Sequence, residues 1–151
     1  MKKPQQLLTN TSNQAQGMHY QEQGNVIVFD LRELTHFRAD GPFVQILSDI
    51  GTARLVLFAF KAGQQIKEHR TSSQLLVQVL RGSITFTTPG NSEKLQAGKL
   101  LQLEENVPHS VVARTDAIML LTMTPSPSCH SLQHEVFGAL KPLVTRSYRN
   151  A

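Results

Sequence analysis

GQQIKEHRTSSQLLVQVLRG, residues 63–82, and GKLLQLEENVPHSVVA, residues 98–113, decide the reading of this chain. Five residues separate Gly63 from His69, one separates His69 from Thr71, three lie between Thr71 and Leu75, and six between Leu75 and Gly82. In the second stretch five residues separate Gly98 from Glu104, one lies before Asn106, two before His109 and three before Ala113. Side chains two apart in a strand share a face, so His69 and Thr71 are expected to point the same way.

Around these stretches the chain reads as short strands punctuated by turns. SITFTT, from Ser83, leads through Pro89-Gly90-Asn91 into a hairpin, and further strands are expected around Glu93–Leu95, Leu100–Leu103, Ser110–Ala113 and Ala117–Thr124. Upstream, VIVFDL after Asn25, Phe43–Ser48 and Thr52–Phe60 read as strands, and the nearly all-apolar RLVLFAF belongs in the middle of a sheet. Many short strands without intervening helices argue for an all-β sandwich or barrel. Beyond Pro125-Ser126-Pro127, Ser131 is a plausible N-cap, and Leu132, Val136, Phe137 and Leu140 fall on one helical stripe that Pro142 ends.

The spacing of the two stretches resembles the paired motifs of the cupin family, G(x)5HxH(x)3E(x)6G and G(x)5PxG(x)2H(x)3N. Gly63, His69, Gly82, Gly98 and His109 stand at their signature positions. Thr71 replaces a His, Leu75 a Glu, Glu104 a Pro, Asn106 a Gly and Ala113 an Asn. The Asn106 change is the mildest, since Asn tolerates the left-handed backbone region better than most residues. The resemblance implies a jelly-roll barrel, or double-stranded β-helix, over about residues 50 to 125, with extra N-terminal strands and a short C-terminal helix. The expected organisation is a flexible arm over residues 1–24, a barrel domain over 25–125 and an extension over 126–151. The arm is expected because its Gln-rich composition buries too little apolar surface to offset the cost of ordering.

In this family four side chains, commonly three His and one carboxylate, converge on one divalent metal such as Fe, Mn, Ni or Zn. Only His69 and His109 carry over. Leu75 has no lone pair and the Thr71 hydroxyl is a poor replacement for imidazole, so two His would hold a divalent ion without charge compensation or an adequate coordination number. Gln74, turned inward by a β-bulge, is the candidate third ligand, with Glu68 and the Glu104-Glu105 pair as other donors. The expectation is a small-molecule pocket lined by His69, Thr71, Leu75, Val77, His109 and Val111, without strong metal dependence. The alternatives are a metal-dependent dioxygenase, isomerase or lyase and a non-catalytic interaction scaffold.

Bulk composition narrows the partners. A chain of 151 residues is one domain in size, long enough to bury about 70% of its unfolded surface. Its formal charge of +4 is scattered, with neither the aromatic-and-basic interleaving that stacks single-stranded bases nor a helix-turn-helix pattern, so nucleic acid is not expected. No window reaches the eighteen apolar residues of a membrane span, and no apolar run follows Lys2 and Lys3, so a cytoplasmic location is expected. The single cysteine, Cys129, excludes an internal disulfide and has no recognisable catalytic partner. His19, His36, His130 and His134 read as solvated, and the resemblance adds a homodimer formed by strands outside the barrel.

Overall fold

In a computed structural model the described residues are 20–128 and 140–145, and they fall into two units that divide after Leu34. In the first unit β1 (Tyr20–Gln23) pairs antiparallel with β2 (Val26–Phe29). Tyr20 packs on Phe29 with ring centroids 5.7 Å apart, and such a cross-strand aromatic pair is a recognised source of hairpin stability. Tyr20–Gln23 therefore form a strand where the sequence suggested a flexible arm over residues 1–24; residues 1–19 lie outside the described residues. Composition hid this, because Gln21, Glu22 and Gln23 are polar side chains on exposed positions of the strand. A single helical turn follows, α1 (Leu31–Leu34). Asp30 caps it, its Oδ1 accepting hydrogen bonds from the backbone N–H groups of Arg32 at 3.1 Å and Glu33 at 3.2 Å.

The second unit is built from two facing sheets. Its strands are β3 (Phe43–Asp49), β4 (Arg54–Phe60), β5 (Gln65–His69), β6 (Gln74–Arg81), β7 (Ser83–Thr88), β8 (Asn91–Gln96), β9 (Leu100–Leu103), β10 (His109–Ala113), β11 (Ala117–Thr124) and β12 (Val144–Thr145). The larger sheet has the order β12-β3-β4-β11-β6-β9 and the smaller β5-β10-β7-β8. After β4 the chain passes back and forth between them: β5 small, β6 large, β7 and β8 small, β9 large, β10 small, β11 large. That alternation is a jelly roll. The all-β roll expected from the sequence is present, but as two sheets with separate hydrogen-bond ladders and not as a closed barrel.

The signature glycines sit where the chain changes sheet, Gly63 between β4 and β5, Gly82 between β6 and β7, and Gly98 between β8 and β9. Gly82 is the most constrained. Its φ is +73°, and a Cβ there would lie 2.0 Å from the carbonyl oxygen of Asp116 and 2.7 Å from Thr115 Oγ1. Only a residue without a side chain lets the two corners meet.

Alternation along the strands fills the space between the sheets. Val56, Phe58 and Phe60 of β4, Leu75, Val77 and Val79 of β6, and Met119, Leu121 and Met123 of β11 are buried from the large sheet. Ile66, Ile84, Phe86, Leu95, Val111 and Ala113 meet them from the small one. β4 lies between β3 and β11, and its last five residues are all buried, as the uninterrupted RLVLFAF run led one to expect. The expected C-terminal helix falls mostly on residues 129–139, outside the described residues; Leu140 to Pro142 are not helical.

Candidate functional site

The site begins with a count of residues. β5 runs antiparallel to β10 with Val111 opposite Ile66 and His109 opposite His69. Two steps along β10 thus face three along β5, and the surplus is a β-bulge at Lys67 and Glu68. In a regular strand Glu68 would share the inward face with Ile66 and His69 would point out. The bulge reverses this parity: Ile66 is buried, Lys67 and Glu68 are exposed, and His69 turns in.

Opposite it, His109 opens β10 and is 3% exposed. The two imidazoles meet with ring centroids 4.1 Å apart and planes at 62°. Phe86 of β7 stacks on His109 at 5.3 Å, nearly parallel at 9°. Each ring is fixed by its own backbone. His69 Nδ1 lies 2.7 Å from the carbonyl oxygen of Lys67, and His109 Nδ1 2.9 Å from that of Val107. A carbonyl only accepts, so both Nδ1 atoms carry the proton and donate, and in the neutral ring the lone pair is left on Nε2.

Electrostatics favours that neutral form. Burial pushes the pKa of His69 down, the hydrogen bond to Lys67 opposing it. Burial pushes His109 down further, to about 4, with the neighbouring His69 adding to the effect. Both rings are uncharged at neutral pH.

His69, Leu75, Val77, His109 and Val111 line one cavity. Phe58, Ile66, Phe86, Met119 and Leu121 also line it, residues the sequence reading passed over. Strand alternation in SITFTT signalled Phe86; AIMLLTMT is too uniformly apolar for parity to single out Met119 and Leu121. The cavity offers the centre of a water-sized sphere about 20 Å³, room for one or two waters.

Two expected positions lie elsewhere. Thr71 is buried but does not line the cavity. β5 ends at His69, so the two-residue parity does not extend to Thr71; its carbonyl accepts from Asn106 N–H at 2.8 Å and its Oγ1 from Ser73 N–H at 3.4 Å. Gln74 is exposed and alternates with buried Leu75. The ladder from Gln74 to Val79 is unbroken, and the register shift on that strand falls beyond Val79, so no bulge turns Gln74 inward. Asn106, at the motif's Gly position, takes φ +61° and ties the β9–β10 turn to the β5–β6 corner through that bond to Thr71.

The family's divalent ion can be tested against these donors. Glu68, Glu104 and Glu105 are exposed, and among the described residues no three His, Cys, Asp or Glu side chains gather. Two neutral imidazoles in an apolar wall do not fit a divalent ion, which needs charge compensation and further donors.

Comparison with known proteins agrees with the architecture. Residues 56–125 match the family described as the cupin domain. An RmlC-like cupin protein from Desulfovibrio desulfuricans is 26% identical, over 70% of this chain and 97% of that one, with a TM-score of 0.59. A protein with a double-stranded β-helix domain from Klebsiella pneumoniae is 17% identical over 69% and 94%, with a TM-score of 0.63. Salicylate 1,2-dioxygenase from Pseudoaminobacter salicylatoxidans is 20% identical over 57% of this chain and 27% of its own, with a TM-score of 0.53. No curated protein sequence matches.

Proposed function

This chain belongs to the cupin family, its domain matched over residues 56–125, and on that premise we propose that it is a small-molecule-binding cupin whose pocket works without the family's divalent metal. One observation carries the reading: two imidazoles, each locked through Nδ1 to a backbone carbonyl, face one small apolar cavity whose lining, among the described residues, includes no carboxylate. Such a pair accepts hydrogen bonds through Nε2, and the apolar walls raise the cost of any charged group that enters unpaired. The ligand is therefore compact and neutral, or carries no more charge than the imidazole lone pairs can stabilise.

The resemblance to a dioxygenase structure supports the fold alone at 20% identity. A redox reaction at a divalent centre would need donors that the described part of this cavity lacks.

The test is made on protein purified without a polyhistidine tag. Metal analysis is expected to show less than stoichiometric Fe, Mn, Ni or Zn, and native mass spectrometry a copurified small ligand that His69→Ala and His109→Ala each release. One divalent ion per chain, lost in both variants, would overturn the proposal in favour of a metal-dependent enzyme.

A further inference from the structure

Burial leaves His109 with one nitrogen to use. Phe86 lies parallel to the ring at 5.3 Å, and the ring of His69 abuts it with centroids 4.1 Å apart. Its Nδ1–H is spent on the Val107 carbonyl, and Nε2, on the other side of the ring, has no hydrogen-bond partner among the described residues. A buried acceptor in that condition carries the desolvation cost of a missing bond, and a ligand that supplies the bond recovers it. His69 has its own Nδ1–H committed to the Lys67 carbonyl, and the rest of the described lining is hydrocarbon and the Met119 thioether, which accepts weakly and does not donate. The described side chains around the cavity thus accept a hydrogen bond at His109 and offer no uncommitted N–H or O–H in return.

Size and charge restrict the donor. About 20 Å³ for the centre of a water-sized sphere admits a hydroxyl with roughly one or two carbons behind it. An ammonium also donates, but with no carboxylate in the described lining it would be buried without a counter-charge, and a carboxylate would meet the His109 lone pair with like polarity. A carbonyl or nitrile only accepts, and sets a second acceptor against Nε2. We infer that this cavity binds the hydroxyl end of a small neutral alcohol, whose O–H donates to His109 Nε2 and whose carbons pack on Leu75, Val77 and Val111. The inference rests on the preceding reading of a small-molecule pocket without a divalent metal, and narrows its ligand from compact and neutral to hydrogen-bond donating. Leu75, buried at the motif's carboxylate position, gives such a ligand hydrocarbon to pack on.

Ethanol and acetonitrile, neutral probes of similar bulk of which one donates and the other only accepts, are titrated into the full-length labelled protein, with formate and methylammonium in parallel. The His109 Nε2 resonance is followed in nitrogen-detected spectra and the Met119 methyl resonance in carbon-13 spectra. Ligands this small bind no tighter than on the order of 0.5 mM, so the titrations run well above that concentration. Ethanol is expected to give a saturable shift of both resonances, acetonitrile to bind at least about tenfold more weakly, and the two ions to give no saturable shift. In His109→Phe, read at the Met119 methyl, ethanol should bind no better than acetonitrile. Acetonitrile or either ion binding as tightly as ethanol overturns the inference, as do a failure of ethanol to bind and an ethanol preference that survives in His109→Phe. Each of these leaves the metal-independent pocket standing. One divalent ion per chain in the same preparation, lost in His69→Ala and His109→Ala, overturns both the inference and the reading beneath it.

Discussion

Replacing His109 by Leu is expected to remove a pH dependence of folding stability that the wild-type protein carries. In the folded chain burial and the neighbouring His69 hold His109 near 4 against an ordinary 6.5. Between those values the unfolded chain binds a proton that the folded chain refuses, so stability must fall as pH falls. The contribution is whole above about 6.5, declines as the solution is acidified, and is exhausted below about 4. A drop of that size corresponds to about 3 kcal/mol, with a slope of about 1 kcal/mol per pH unit near the middle of the window. His69 is displaced in the same direction, so the pair shares the proton and the apparent values belong to both rings. Urea unfolding of wild type and His109→Leu from neutral pH to about 4 isolates the effect, because the carboxylates titrating in that range are common to both. For an m-value near 2 kcal/mol/M, the wild-type midpoint should lose about 1.5 M more than that of the variant. A difference curve flat to within about 0.5 kcal/mol would refute the argument. So would a His109 ring that titrates near its ordinary value by NMR.

Two further outcomes are expected. Gly82→Ala must accept a left-handed φ of +73° and a Cβ 2.0 Å from the Asp116 carbonyl oxygen; it should cost about 3 kcal/mol or more, read as a fall in urea midpoint of at least about 1 M, and an unchanged midpoint would show that the two corners part easily. The β1–β2 hairpin leaves Val26 and Val28 each 60% exposed, and an isolated two-stranded ribbon is only marginally stable. Sedimentation at micromolar concentration should therefore give a homodimer that Val26→Lys with Val28→Lys weakens, and a wild-type monomer would count against it.

Much of the roll could be read from the sequence because its signals are local. Turn residues at Gly63, Gly82, Pro89-Gly90 and Gly98 bound the strands, and Ala117–Thr124 and Leu100–Leu103 have the limits that composition suggested. Tyr20–Gln23 escaped because a strand can be held by one aromatic contact while the rest of its side chains stay polar. The α1 turn escaped because its single signal, Asp30 as a cap, stands before only four helical residues. For the site, the spacing paired His69 with His109 but misplaced Thr71 and Gln74. Both errors share a cause: parity is a property of an unbroken strand, and the chain breaks it after His69 and keeps it at Gln74.

The bulge shows why such errors follow from pairing and not from composition. A β-bulge is fixed by the partner strand, since the surplus residue exists only relative to the count on β10, and no pattern within IKEH announces it. With regular pairing the same four letters would aim Glu68 inward and leave one imidazole and one carboxylate in the cavity, a donor set with charge to offer a divalent ion. One extra residue instead delivers two neutral imidazoles, each oriented by a carbonyl two residues before it. The chemistry open to this pocket is thus decided by strand register as much as by the replacement of ligands at Thr71 and Leu75. A variant that removed the bulge, so that Glu68 faces inward beside His109, should gain affinity for Zn(II), read by calorimetric titration against the wild-type protein.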